Sequence, residues 1–105
     1  MTASTFSLAG YAFDADKGCF TCIHVIEGTP VLLFLHEASG DLQFMCGAHD
    51  HDFTADCRFV HAAHVVARHP DLSSLPIVDL GHVAERADTR SPWLVLPLPD
   101  DQLID

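Results

Sequence analysis

The stretch that most constrains the fold runs from residue 20 to residue 47 and contains three short extended segments in succession. Its alternating or continuous apolar residues, bounded by residues typical of tight turns, indicate strands rather than helices. The stretch therefore predicts an antiparallel meander with the second segment as its central strand. The predicted strands lie at 20–27, 31–36 and 42–46, separated by turns at 28–30 and 38–41.

The rest of the chain adds strand and helix patterns to this meander. Short strands are expected at 57–61, 82–86 and 94–96, and residues 62–69 have a helical pattern that Pro70 closes. The chain has 105 residues, of which 49% are hydrophobic, so it can form one domain with a substantial core. We therefore predict a single α+β domain spanning 1–105. It has an antiparallel sheet of four to five strands with one or two short helices on one face. Leu72, Leu75 and Ile77 are expected in its core.

The charge balance restricts the partners of the protein. Fifteen Asp and Glu residues against five Lys and Arg give a formal net charge of −10. This charge repels phosphate backbones and anionic lipid, so neither a nucleic acid nor a membrane is an expected partner. The simplest role of this negative charge is to promote solubility, and the alternative is that it attracts a basic protein partner. We find no secretion signal and no membrane-spanning run, which predicts a cytoplasmic protein. The oligomeric state stays open.

Four cysteines in such a chain are more typical of metal ligands or buried thiols than of disulfides. Cys19 and Cys22 have zinc-knuckle spacing, and Cys46 and His49 offer a second pair, together a possible Cys3His site. The predicted meander argues against this site, because it places Cys22 and Cys46 on non-neighbouring strands ~9.5 Å apart. The expected state is therefore four separate thiols, largely buried.

A smaller metal site can form without ligands from two non-neighbouring strands. Cys46 ends the third predicted strand, and His49 and His51 follow in the adjoining polar loop, so these three are the candidate metal ligands, with zinc as the candidate ion. A solvated loop with flexible histidines is the alternative interpretation. We find no nucleophile elbow and no phosphate-binding glycine loop, and the Cys19–Cys22 pair leads into a strand rather than a helix. We therefore predict a non-enzymatic protein with no catalytic residues and no required cofactor.

Several short motifs occur in a fixed order along the chain. They are Cys22-Ile23-His24-Val25, Pro30-Val31-Leu32-Leu33, Gly40-Asp41-Leu42-Gln43-Phe44-Met45-Cys46-Gly47, His69-Pro70-Asp71-Leu72, Asp79-Leu80, Gly81-His82-Val83-Ala84-Glu85-Arg86 and Ser91-Pro92-Trp93. Taken in this order, they resemble a group of small uncharacterised bacterial proteins. The resemblance covers residues 22–93, but Leu42 and His82 stand where that group favours Trp, and His69 replaces an acidic residue. The strand-turn-strand pattern is more remotely similar to immunity-protein domains of bacterial toxin systems, which would imply neutralising a toxin by direct binding.

Three functions are compatible with these observations. The favoured prediction is a small, soluble, cytoplasmic binding module whose ligand is unknown. The alternatives are an immunity-type inhibitor that binds a basic toxin, with its acidic surface providing the attraction, and a metal-binding protein that uses Cys46 and nearby histidines.

Overall fold

The computed structural model describes residues 4–47 and 57–98. Within them, eight strands form a two-stranded hairpin and a six-stranded sheet, accompanied by two short α-helices and a 3-10 helix. The strand order of the larger sheet is β6-β3-β5-β4-β7-β8. The elements are β1 (Thr5–Leu8), β2 (Tyr11–Asp14), β3 (Gly18–Cys22), α1 (Ile23–Ile26), β4 (Leu33–His36), β5 (Leu42–Met45), β6 (Cys57–His61), α2 (Ala62–Arg68), the 3-10 helix (Pro70–Ser74), β7 (His82–Glu85) and β8 (Leu94–Pro97).

The predicted α+β class is confirmed, but the predicted sheet of four to five strands is too small. The main sheet has six strands, and β1 and β2 form a separate antiparallel hairpin. The sheet is also not wholly antiparallel, because β3 and β5 run parallel, with Thr21 beside Phe44. The local elements β6, α2, β7 and β8 lie where the sequence predicts them.

The predicted strand at 20–27 is wrong in its second half. Strand β3 ends at Cys22, and α1 begins directly afterwards, with the Glu27 amide donating to the Ile23 carbonyl at 2.9 Å. β-branched residues such as Ile23 and Val25 favour strands, but here the helical turn buries Val25 completely. Burial thus outweighs local propensity, and the first predicted hairpin does not form.

The second predicted hairpin does form, between β4 and β5. Leu35 lies opposite Gln43, one residue away from the predicted partner Phe44. Strand β5 then inserts between β4 and β3, so the strand order differs from the chain order. This insertion is what brings the end of β3 next to the end of β5.

The core lies on one face of the six-stranded sheet. Thr21, Phe44, Phe34 and Ala84 follow one another across four neighbouring strands, and each is completely buried. The β1–β2 hairpin covers one end of this face, where the His36 ring meets the Tyr11 ring edge-on at 4.9 Å.

The segment after the 3-10 helix confirms part of the predicted core. Leu72 and Leu75 are buried as expected, but Ile77 is 67% exposed. The Ile77 side chain lies over Gly10, at the surface of the hairpin turn rather than beneath it.

The opposite face of the sheet keeps apolar side chains in contact with solvent. Phe20 and Phe59 pair across β3 and β6, with ring centroids 5.0 Å apart, and Phe59 is 65% exposed. Leu94 and Leu96 of β8 are also exposed. None of the helices within residues 4–47 and 57–98 is long and apolar enough to span a bilayer.

Candidate metal centre

The parallel pairing of β3 and β5 sets the position of the candidate site. Because parallel strands end at the same edge of a sheet, the residues that follow them become neighbours. Cys22 ends β3, His24 lies in the single turn of α1, and Cys46 comes directly after β5. Three side chains with metal-binding atoms therefore meet at this edge.

The distances between these side chains are compatible with a metal site. The ligand atoms of Cys22, His24 and Cys46 all lie within 4.8 Å of one another. The Cys46 Sγ and His24 Nδ1 atoms are 3.7 Å apart. In a tetrahedral zinc site with ordinary zinc–sulfur and zinc–nitrogen bonds, two such atoms are separated by about 3.6 Å. This distance is that of a hydrogen bond between the thiol and the imidazole, and it also suits two ligands of one ion.

The surroundings of the three ligands favour a soft cation. Cys22 is completely buried, Cys46 is 6% exposed and His24 is half-buried. Thiolate and imidazole groups select zinc and related transition metals over magnesium or calcium, which prefer oxygen ligands. Three protein ligands leave one tetrahedral position for a fourth ligand.

The structure changes the set of ligands predicted from the sequence. Cys46 belongs to the cluster, whereas His49 and His51 lie outside the described residues. The prediction that Cys22 and Cys46 are too far apart is wrong, because β5 pairs directly with β3. Sequence reasoning also missed His24 as a ligand, although the Cys22-Ile23-His24 motif carried a signal, since two metal-binding side chains stand two positions apart in it.

Cys19 does not join the cluster, despite its zinc-knuckle spacing from Cys22. Residues three positions apart on a strand point to opposite faces of the sheet, and both cysteines lie on β3. Burial raises the pKa of the Cys19 thiol to about 12, and the nearby Cys57 thiol adds to this shift. Because it lies on the opposite face of the sheet from Cys22, Cys19 is a buried thiol outside the cluster rather than a ligand. None of these four cysteines forms a disulfide in the structure.

A second polar cluster has the features of a structural anchor. The Arg86 guanidinium lies 4.1 Å above the Trp93 ring centroid and donates two hydrogen bonds to the Val31 carbonyl, through Nε and Nη2. It also forms an ion pair with Asp71. Because these groups satisfy Arg86, the cluster connects four segments of the chain rather than offering a reactive group.

No family model matches the chain, and neither the curated proteins nor the solved structures contain a match. The resemblances noted in the sequence stay predictions, so a functional proposal depends on the geometry of the site.

Proposed function

We propose that this protein is a non-enzymatic binding domain whose ligand is zinc, or a closely related soft divalent cation, held by Cys22, His24 and Cys46. The observation that supports the proposal is the convergence of three ligand atoms from β3, α1 and the end of β5 to within 4.8 Å. Two thiolates would neutralise the charge of the cation in a largely buried setting, which reduces the cost of burying it.

A binding role suits this site better than a hydrolytic one. A catalytic zinc needs an open coordination position that substrate can reach. Here both cysteines are buried and only His24 is partly exposed. A substrate therefore has little access to an ion at this position.

The direct test is metal titration of the reduced, metal-free protein. We expect one Zn²⁺ per chain by elemental analysis, and Co²⁺ should produce the sulfur-to-metal charge-transfer absorption of cobalt–thiolate bonds. Cys46→Ser and His24→Ala should weaken cobalt binding by at least about tenfold, because loss of even an outer-shell partner of a ligand typically costs about that much. Cys57→Ser is the matched control, because Cys57 is a free thiol on the neighbouring strand β6, outside the cluster.

The same titration separates the two candidate ligand sets, which share only Cys46. Loss of binding in Cys22→Ser and His24→Ala supports the cluster described above. Loss in His49→Ala and His51→Ala, with Cys22→Ser unaffected, would instead favour the set predicted from the sequence. Protein that binds no Co²⁺ or Zn²⁺ would overturn the proposal. The immunity-type inhibitor stays a prediction, since no described contact favours it over metal binding.

A further inference from the structure

A cleft of about 220 Å³ lies between α1 and α2. Its lining is predominantly apolar, and one arginine and two histidines also contribute to it. The His69 Nε2 atom donates to the Val25 carbonyl at 2.8 Å, which ties the end of α2 to α1 and fixes the width of the cleft. The cleft is lined by Val25, Ile26, Val60, Val65, His64, Arg68 and His69.

The charge at this cleft is unusual for the chain. Arg68 is one of only five Lys and Arg residues in a protein with fifteen carboxylates. Within the described part of the chain it forms no hydrogen bond and no ion pair, and it is exposed. His64 lies one helical turn before it on α2, so both side chains project on the same side of the helix. An unpaired cation therefore borders an apolar cleft.

We propose that this cleft binds a small carboxylate with an apolar tail. The guanidinium of Arg68 can hold a carboxylate through two parallel hydrogen bonds, and the valine and isoleucine side chains can bury the tail. An apolar cavity of about 150 Å³ is known to hold benzene, so a cleft of this size fits a tail of about six to eight carbon atoms. The proposal does not require the metal site.

Isothermal titration of the full chain with octanoate tests this assignment. We expect saturable binding of one octanoate per chain, with 1-octanol and octylamine each at least about tenfold weaker because neither pairs with Arg68. Arg68→Gln should weaken octanoate binding by about tenfold or more and leave the weak binding of 1-octanol unchanged. Arg90→Gln is the matched control, since Arg90 is an exposed arginine remote from the cleft.

A second variant tests the apolar part of the site. Ile26→Trp fills the cleft without removing its charge, and it should abolish octanoate binding while the far-ultraviolet circular dichroism stays that of the wild type. Octanoate binding that is absent, unsaturable, or unchanged in Arg68→Gln would overturn the proposal. Equal affinity for octanoate and 1-octanol would also overturn it, because the site would then not recognise the carboxylate.

Discussion

Tyr11, the single tyrosine of the chain, links the β1–β2 hairpin to the segment before β7 through its hydroxyl group. Its hydroxyl donates to the Asp79 Oδ1 atom at 2.8 Å. The bond raises the pKa of the phenol, and partial burial and the charge of Asp79 raise it further, whereas a hydrogen bond with the Leu80 backbone lowers it by less. A phenol must keep its proton to donate, so this contact exists only in the neutral state of Tyr11.

The first prediction is that tyrosinate forms at a higher pH than in a free tyrosine. Because the folded-state pKa is raised, the contribution to stability is complete below about pH 10 and is lost as the pH rises through the folded-state value. Ultraviolet absorbance of the single tyrosinate measures this titration directly. Asp79→Asn should lower the midpoint, and Asp88→Asn is the control at an acidic residue outside this contact. A midpoint that Asp79→Asn leaves unchanged would contradict the assigned cause.

Arg86 shows how one side chain can hold several elements together. It follows β7 and contacts the carbonyl of Val31 before β4, Asp71 in the 3-10 helix and the ring of Trp93 before β8. The Arg86 side chain is almost fully buried, so its hydrogen bonds are shielded from water. Removing the guanidinium would leave the Val31 carbonyl without its donor in a buried place, which is costly.

We predict that Arg86→Met lowers the free energy of unfolding by about 2–4 kcal/mol. Arg86→Lys should recover only part of this loss, because an ammonium group lacks the planar fork and stacks less well on Trp93. Urea denaturation monitored by Trp93 fluorescence measures both. Arg90→Met is the matched control and should change stability by less than about 0.5 kcal/mol, since Arg90 is exposed. A loss as small as that of Arg90→Met would rule out the anchoring role.

The elements that sequence reasoning found are those whose signals are local. Strand β6 and helix α2 follow from alternation and helical periodicity over a few residues, and Pro70 marks where the α-helix ends. Helix α1 was missed because Ile23 and Val25 favour strands locally. Its helical turn is held by the burial of Val25, which no pattern within the segment reveals.

At the scale of the whole molecule, strand order was the information that the sequence did not carry. The meander assumed that consecutive strands pair, and only the β4–β5 hairpin does so within that stretch. The parallel contact of β3 with β5 depends on packing across the sheet, where Thr21 donates to the Phe44 carbonyl at 2.7 Å. The ligands of the candidate site could not be predicted in full for the same reason. Cys46 was identified from its residue type and its position at a strand end, whereas Cys22 and His24 lie beside it only because of the strand order.

Because the three ligands come from different elements, metal binding is expected to raise the free energy of unfolding of the whole domain. His24 and Cys46 are 22 positions apart in the chain, so an ion bound to both would close a long loop and fasten β3, α1 and β5 together. The unfolded chain does not hold these groups together, and binding therefore favours the folded state. A ligand at 100 times its dissociation constant adds about 2.7 kcal/mol to the free energy of unfolding.

We therefore predict that Zn²⁺ raises the melting temperature of the reduced protein by about 10 °C at such a concentration. Calorimetry of the metal-free chain with and without Zn²⁺ measures the shift, and a chelator should reverse it. Cys57→Ser should keep the full shift, while Cys22→Ser and Cys46→Ser should lose most of it, because only the latter two remove a ligand of the cluster. A shift of equal size in all three variants would mean that zinc binds elsewhere on the chain. The cluster at the β3–β5 edge would then not be the site through which zinc stabilises the fold.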